Sequence, residues 1–160
     1  MSTEDAPLPT APMVPGPPAH VLMVRAPYYQ GVIDGMTVAA ERMLREAGAS
    51  YEILDVAGAF ELPQAIRIAL RGTTTFDGYV ALGCVVRGST DHYEYLCRAT
   101  MDGLMQVALG SGIALGSGLL TVHSLEQAVA RSGPDGHNKG AEAAVACLRQ
   151  IIAARQLGST

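Results

Sequence analysis

Gly83-Cys84-Val85-Val86-Arg87-Gly88-Ser89-Thr90-Asp91-His92 holds the densest set of chemically able groups in this chain. An apolar run, Tyr79 to Leu82, empties into a loop of Gly, Arg, Ser and Thr, and a helical pattern begins directly afterwards. Such a loop offers an anion bare backbone N–H groups, a positive helix terminus and hydroxyl donors. His92 falls in the first helical turn, within reach of a bound phosphate ester, and an imidazole moves protons near neutral pH. A plainer reading stands beside this one. Ser89, Thr90 or Asp91 can simply cap the helix by accepting from its free N–H groups, with His92 exposed to water. Residue types and spacing leave both open.

Two further segments carry polar groups beside glycine. In Gly58-Ala59-Phe60-Glu61-Leu62-Pro63, Gly58 permits close backbone approach and Pro63 suits an early helical position. Glu61 there either accepts from sugar hydroxyls or complements the positive helix end. Arg131 and Lys139 flank a glycine-bearing turn and offer positive charge to an anion, or else are solvated surface. Tyr28 and Tyr29 follow the first apolar run, where a flat ring either stacks on a heterocycle or packs with its hydroxyl in water. His20, His123 and His137 have no ligand spacing with a cysteine or carboxylate, so no metal site is expected.

These segments are punctuation between regular elements. Val21–Val24 reads as a short strand. Positions 33, 36, 40, 43, 44 and 47 keep helical spacing, with Gly48 as the stop. Tyr51–Val56 is a second strand, Leu62–Leu70 a short helix closed by Gly72, and Tyr79–Val85 a third strand. The next helix turns Tyr93, Leu96, Cys97, Thr100, Leu104, Val107 and Ala108 to one face. Ile113–Val122 is a fourth strand interrupted by glycines. A short helix over Leu125–Arg131 and a polar turn lead to a last helix with Val145, Leu148, Ile151 and Ile152 inward. Apolar strands separated by helices predict a parallel sheet covered on both faces. The fold class is α/β, a three-layer α/β/α sandwich around a central four-stranded parallel sheet, flavodoxin-like. Right-handed crossovers then gather the polar segments at one edge of the sheet, where open α/β folds bind ligands.

Composition narrows the classes. The 160 residues make one domain, 20–160, preceded by an arm over 1–19 that holds six of the nine prolines and reads as mobile. The chain is 49% hydrophobic but only 16% charged, apolar enough that part of its surface is expected to face other subunits. A net charge of -4 without a basic cluster excludes nucleic-acid binding. No apolar run reaches the ~20 residues that cross a bilayer, and no signal peptide opens the chain. Cys84, Cys97 and Cys147 make an odd count suited to reduced thiols, which places the protein in the cytoplasm.

The glycine-bearing segments around Phe60, the run Gly83 to Tyr93, and Asn138-Lys139-Gly140, in that order, resemble the lumazine synthase family of riboflavin biosynthesis, from about His20 to Ala154. The resemblance implies condensation of 5-amino-6-(D-ribitylamino)uracil with 3,4-dihydroxy-2-butanone 4-phosphate to 6,7-dimethyl-8-ribityllumazine, phosphate and water, with no metal or cofactor. It assigns Tyr28 to stacking on the pyrimidine, and Ala59, Phe60 and Glu61 to the ribityl chain. Val85 and Val86 take the pyrimidine edge, and Ser89, Thr90 and Arg131 the phosphate. His92 becomes the proton carrier and Lys139 the lysine near the heterocycle. Ser117 stands where many members carry an aromatic facing the neighbour's pocket. Arg131 and Lys139 would come from the neighbouring subunit of a pentamer, or of an assembly of pentamers. Two other readings share the fold: a riboflavin synthase of the archaeal type, disfavoured by the phosphate turn with Arg131, and a non-catalytic paralogue that binds flavin or forms a shell.

Overall fold

The computed structural model describes residues 7–134 and 136–158. Four strands, β1 (His20–Arg25), β2 (Ser50–Asp55), β3 (Gly78–Val86) and β4 (Ala114–Val122), form one sheet in the order β2-β1-β3-β4. Every neighbouring pair is parallel, as in β3 against β4, where Gly78 faces Ala114 and Val86 faces Val122. The helices are α1 (Gln30–Glu46), α2 (Leu62–Ala69), α3 (His92–Ser111), α4 (Leu125–Val129) and α5 (Lys139–Gln156). This is the expected three-layer α/β/α sandwich of flavodoxin-like type.

Side chains alternate along each strand, so each strand feeds two cores. Val21 and Met23 of β1, with Val80 and Leu82 of β3, join α1 and α5 in one apolar cluster. Leu22 and Val24, with Tyr79 and Ala81, join α2 and α3 in the other. At the edge of the sheet β2 leaves Ile53 and Leu54 each 41% exposed, while its Tyr51 packs partly against the α1/α5 core.

The glycines of β4 answer to packing. A Cβ at Gly116 would fall on the carbonyl oxygen of Ala143, and one at Gly140 on that of Met36. Two backbone contacts of this kind seat α5 directly on β4 and on α1.

Residues 7–19, read as an arm, meet the body at named points. Ala11 and Val14 pack partly against the α1/α5 core. Arg155 Nη1 donates to the carbonyls of Pro15 at 2.7 Å and Pro17 at 2.8 Å. The C-terminal strand ends, away from this contact, carry the polar segments. The chain order reverses between β1 and β3, and their following loops diverge there to open a crevice.

Candidate active site

A cavity of about 520 Å³ fills that crevice, lined by Tyr28, Tyr29, Ala57 to Glu61, Cys84 to Val86, His92 and Leu96. Tyr28 and Tyr29 close one side, ring edge against ring face at 5.1 Å between centroids, and Tyr28 is 77% exposed. The loop after β2 supplies the opposite wall through a 3₁₀ turn, Ala59–Glu61. Ala59 and Leu62 are buried and anchor that turn, which leaves Phe60 and Glu61 at the cavity. Val85 ends its run inside the core, while Val86 is half-buried at the floor. Leu96 follows His92 by four residues, hence on the same helical face.

The lining is mostly apolar, with one imidazole, His92, and one carboxylate, Glu61. Burial pushes the Cys84 thiol up to about 11, so it stays protonated and is no nucleophile near neutral pH. Burial, and then the neighbouring Cys84, raise Tyr29 above an ordinary phenol, which keeps it a neutral donor.

The loop between β3 and α3 is braced from outside the turn itself. Arg87 donates its backbone N–H to Val122 at 2.9 Å, pairs with Glu94 at 2.9 Å, and lies over the Tyr93 ring at 5.7 Å. No side chain caps α3 at Asp91. The plain capping role for Ser89, Thr90 or Asp91 is therefore not taken, and the Ser89 and Thr90 residues are exposed beside an uncapped helix start.

A second hollow of about 200 Å³ is lined by Ser117 to Val122, Arg131 and Lys139. The backbone N–H of Lys139 donates to the Arg131 carbonyl at 2.9 Å, which ties the two cations together. Asn138 fixes this corner. Its Oδ1 accepts from Gly140 and Ala141, and its Nδ2 donates to the carbonyls of Gly35 and Gly133. Lys139 Nζ pairs with Glu142 at 2.6 Å, and Arg131 Nη1 donates to the Gln127 carbonyl at 2.9 Å.

Of the residues singled out in the sequence, Tyr28, Ala59, Phe60, Glu61, Val85, Val86 and His92 meet in the larger cavity. Ser117, Arg131 and Lys139 line the hollow instead, and Ser89 and Thr90 line neither. The two cavities have no lining residue in common. Three contributors stand out only in the structure: Leu96, which shares the core stripe of α3 yet lines the cavity, Asn138 as the cap of α5, and Glu142 as the partner of Lys139. An Asn just before a patterned helix was the available signal for the cap. Lys139 is the sole lysine of the sequence. Among the described residues, no group of three His, Cys, Asp or Glu side chains is placed to hold a metal, and no helix is long and apolar enough to cross a membrane.

A doubly wound parallel sheet with a polar-edged crevice at its switch point defines a small-molecule enzyme of the α/β class. The family model for 6,7-dimethyl-8-ribityllumazine synthase matches residues 18–155. A 6,7-dimethyl-8-ribityllumazine synthase of Paramagnetospirillum magneticum is 39% identical over 146 residues, covering 88% of this chain and 97% of its own. Rhizobium meliloti 6,7-dimethyl-8-ribityllumazine synthase 1 is 41% identical, covering 89% and 95%. The enzyme of Leifsonia xyli subsp. xyli is 41% identical, covering 90% and 91%. The chain belongs to the 6,7-dimethyl-8-ribityllumazine synthase family, transferases of riboflavin biosynthesis that act on small molecules as oligomers.

Proposed function

We propose that this chain condenses 5-amino-6-(D-ribitylamino)uracil with 3,4-dihydroxy-2-butanone 4-phosphate to 6,7-dimethyl-8-ribityllumazine, at sites each built from two copies of the chain in a pentameric ring. The observation that carries this reading is the single cavity into which Tyr28, Phe60, Glu61, Val86 and His92 converge from three separate strand ends.

In that cavity Tyr28 stacks on the pyrimidine, with the backbone of Val85 and Val86 along its edge. Ala59, Phe60 and Glu61 line the ribityl chain, with Glu61 accepting from its hydroxyls. Ser89 and Thr90 hold the phosphate at the uncapped start of α3, where N–H donors and the helix dipole favour an anion. The neighbouring copy brings Arg131 to the phosphate and Lys139 to the heterocycle, with Ser117 beside them. The separation of the two hollows in one chain supports this division. So does apolar surface: Met101, Met105 and Leu109 of α3 are exposed, and they line a groove of about 680 Å³ suited to a ring interface.

The reaction asks little of the protein beyond placement and proton transfer. Amine attack on the ketone gives an imine with loss of a first water, phosphate leaves by elimination, and the ribityl-bearing nitrogen attacks the remaining carbonyl to close the ring with loss of a second water. His92 carries the protons, and holding two reactants together removes much of the entropic barrier. Three thiols without a disulfide suit a cytoplasmic setting.

Mixing the purified protein with both substrates tests the reading. Lumazine appearing with stoichiometric phosphate, well above the uncatalysed rate, supports it, and product at background rate contradicts it. Product from lumazine alone would indicate riboflavin synthase chemistry instead.

A further inference from the structure

Beside Lys139 lies a pair of groups that the reaction scheme does not use. Glu142 Oε2 accepts from Lys139 Nζ at 2.6 Å. Its other oxygen, Oε1, is buried and has no hydrogen-bond partner among the described residues, and the same holds for His137 Nδ1. The two orphaned atoms face each other at 3.8 Å. That gap is too long for a hydrogen bond and too short for a bridging water, so a shift of under ~1 Å closes it directly. A buried donor and a buried acceptor left apart each carry a desolvation penalty, which joining them removes.

We propose that His137 is a positioning residue. With its proton on Nδ1 it donates to Glu142 Oε1, which commits Oε2 to the amine of Lys139 and holds that amine toward the hollow shared with Arg131. The chain of contacts is short and local. His137 precedes Lys139 by two residues, and Glu142 follows it by three, inside the first turn of α5. Asn138, between them, holds this corner with four side-chain hydrogen bonds, to Gly35, Gly133, Gly140 and Ala141. The significance for catalysis rests on the proposed role of Lys139 in the site. The brace itself does not.

The sole lysine makes the test clean. Reductive methylation of the full-length oligomer, followed by peptide mass spectrometry, reads the reactivity of Lys139 apart from the N-terminal amine. His137→Ala and Glu142→Gln each raise the methylation rate at Lys139 by about threefold or more, the scale of one hydrogen bond of ordinary net strength. The double variant is no faster than Glu142→Gln. His137→Asn, which keeps a donor near the Nδ1 position, stays within about twofold of the unaltered protein. A His137→Ala protein that melts normally and is methylated at the unaltered rate overturns the brace, as does His137→Asn behaving like His137→Ala. Calorimetric binding of a ribitylated pyrimidine analogue is the second readout. His137→Ala and Lys139→Ala should weaken it by similar factors without adding in the double variant. A freed amine with undiminished analogue affinity overturns the positioning role, whereas an unaltered protein that binds no analogue overturns the proposed function and leaves the brace to the methylation rates.

Discussion

His92 and Arg131 line separate hollows of the same chain, with no lining residue shared between them. The proposed site draws its proton carrier from the first and its phosphate-binding cation from the second, each on a different copy of the chain, and on that reading substitutions on the two sides have separable effects.

Arg131→Ala should raise KM for the butanone phosphate by about ten- to a hundredfold while changing kcat less, since a charge-assisted contact to an anion is lost. His92→Ala should do the converse, lowering kcat by about a hundredfold with little change in KM. Steady-state kinetics with each substrate varied in turn check both. Unchanged saturation by the butanone phosphate in Arg131→Ala would remove Arg131 from the phosphate site.

Gly116→Ala and Gly140→Ala should each destabilise the fold by about 2 kcal/mol or more, because the added methyl meets backbone that cannot move aside. Gly31→Ala is the control. It lies in α1 with nothing within 4 Å of the added carbon, so it should be neutral or stabilising by up to ~1 kcal/mol. Urea denaturation measures all three.

Stability should fall as the solution is made alkaline. Burial raises Cys84 from 9.0 to about 11 and Cys147 to about 12. The unfolded chain therefore releases these protons first, so the contribution is whole below pH 9 and is lost progressively as pH rises through about 11 for Cys84 and about 12 for Cys147. Melting temperatures between pH 8 and 11 should drop less steeply in a Cys84→Ala, Cys147→Ala double variant. Equal slopes would refute the assignment.

Removing residues 1–17 should lower stability by about 1–2 kcal/mol, through loss of the Arg155 contacts to Pro15 and Pro17. Turnover per folded subunit should persist, since none of the described residues of the arm lines either hollow. Loss of turnover on truncation would tie the arm to the site.

Much of this architecture was legible because local pattern and tertiary role coincide. The runs at Val21 and Tyr79 are apolar on both faces, as strands between two cores must be, and α1 shows its stripe at helical spacing. The motifs at Phe60 and Val86 marked one wall and the floor of the cavity for the same reason: loops after parallel strands share an edge. Other features needed three dimensions. β2 carries Glu52 and Asp55 where the inner runs are apolar, which suits a rim strand, but that it pairs with β1 on the side away from β3 is a matter of strand order. The glycines of β4 look like interruptions until α5 is seen resting on Gly116. The pairing of Glu142 with Lys139 is a spacing of three on one helix, common on any surface and meaningful only beside the hollow.

Mixing two crippled proteins tests the shared site most directly. His92→Ala and Arg131→Ala oligomers, each nearly inactive when the butanone phosphate is held well below the KM of the Arg131→Ala protein, are dissociated, combined in equal amounts and reassembled. Random assortment gives about one interface in four with both residues intact, so activity should return to about a quarter of the unaltered level. Hybrids no more active than the separate variants would contradict a site divided between copies of this chain.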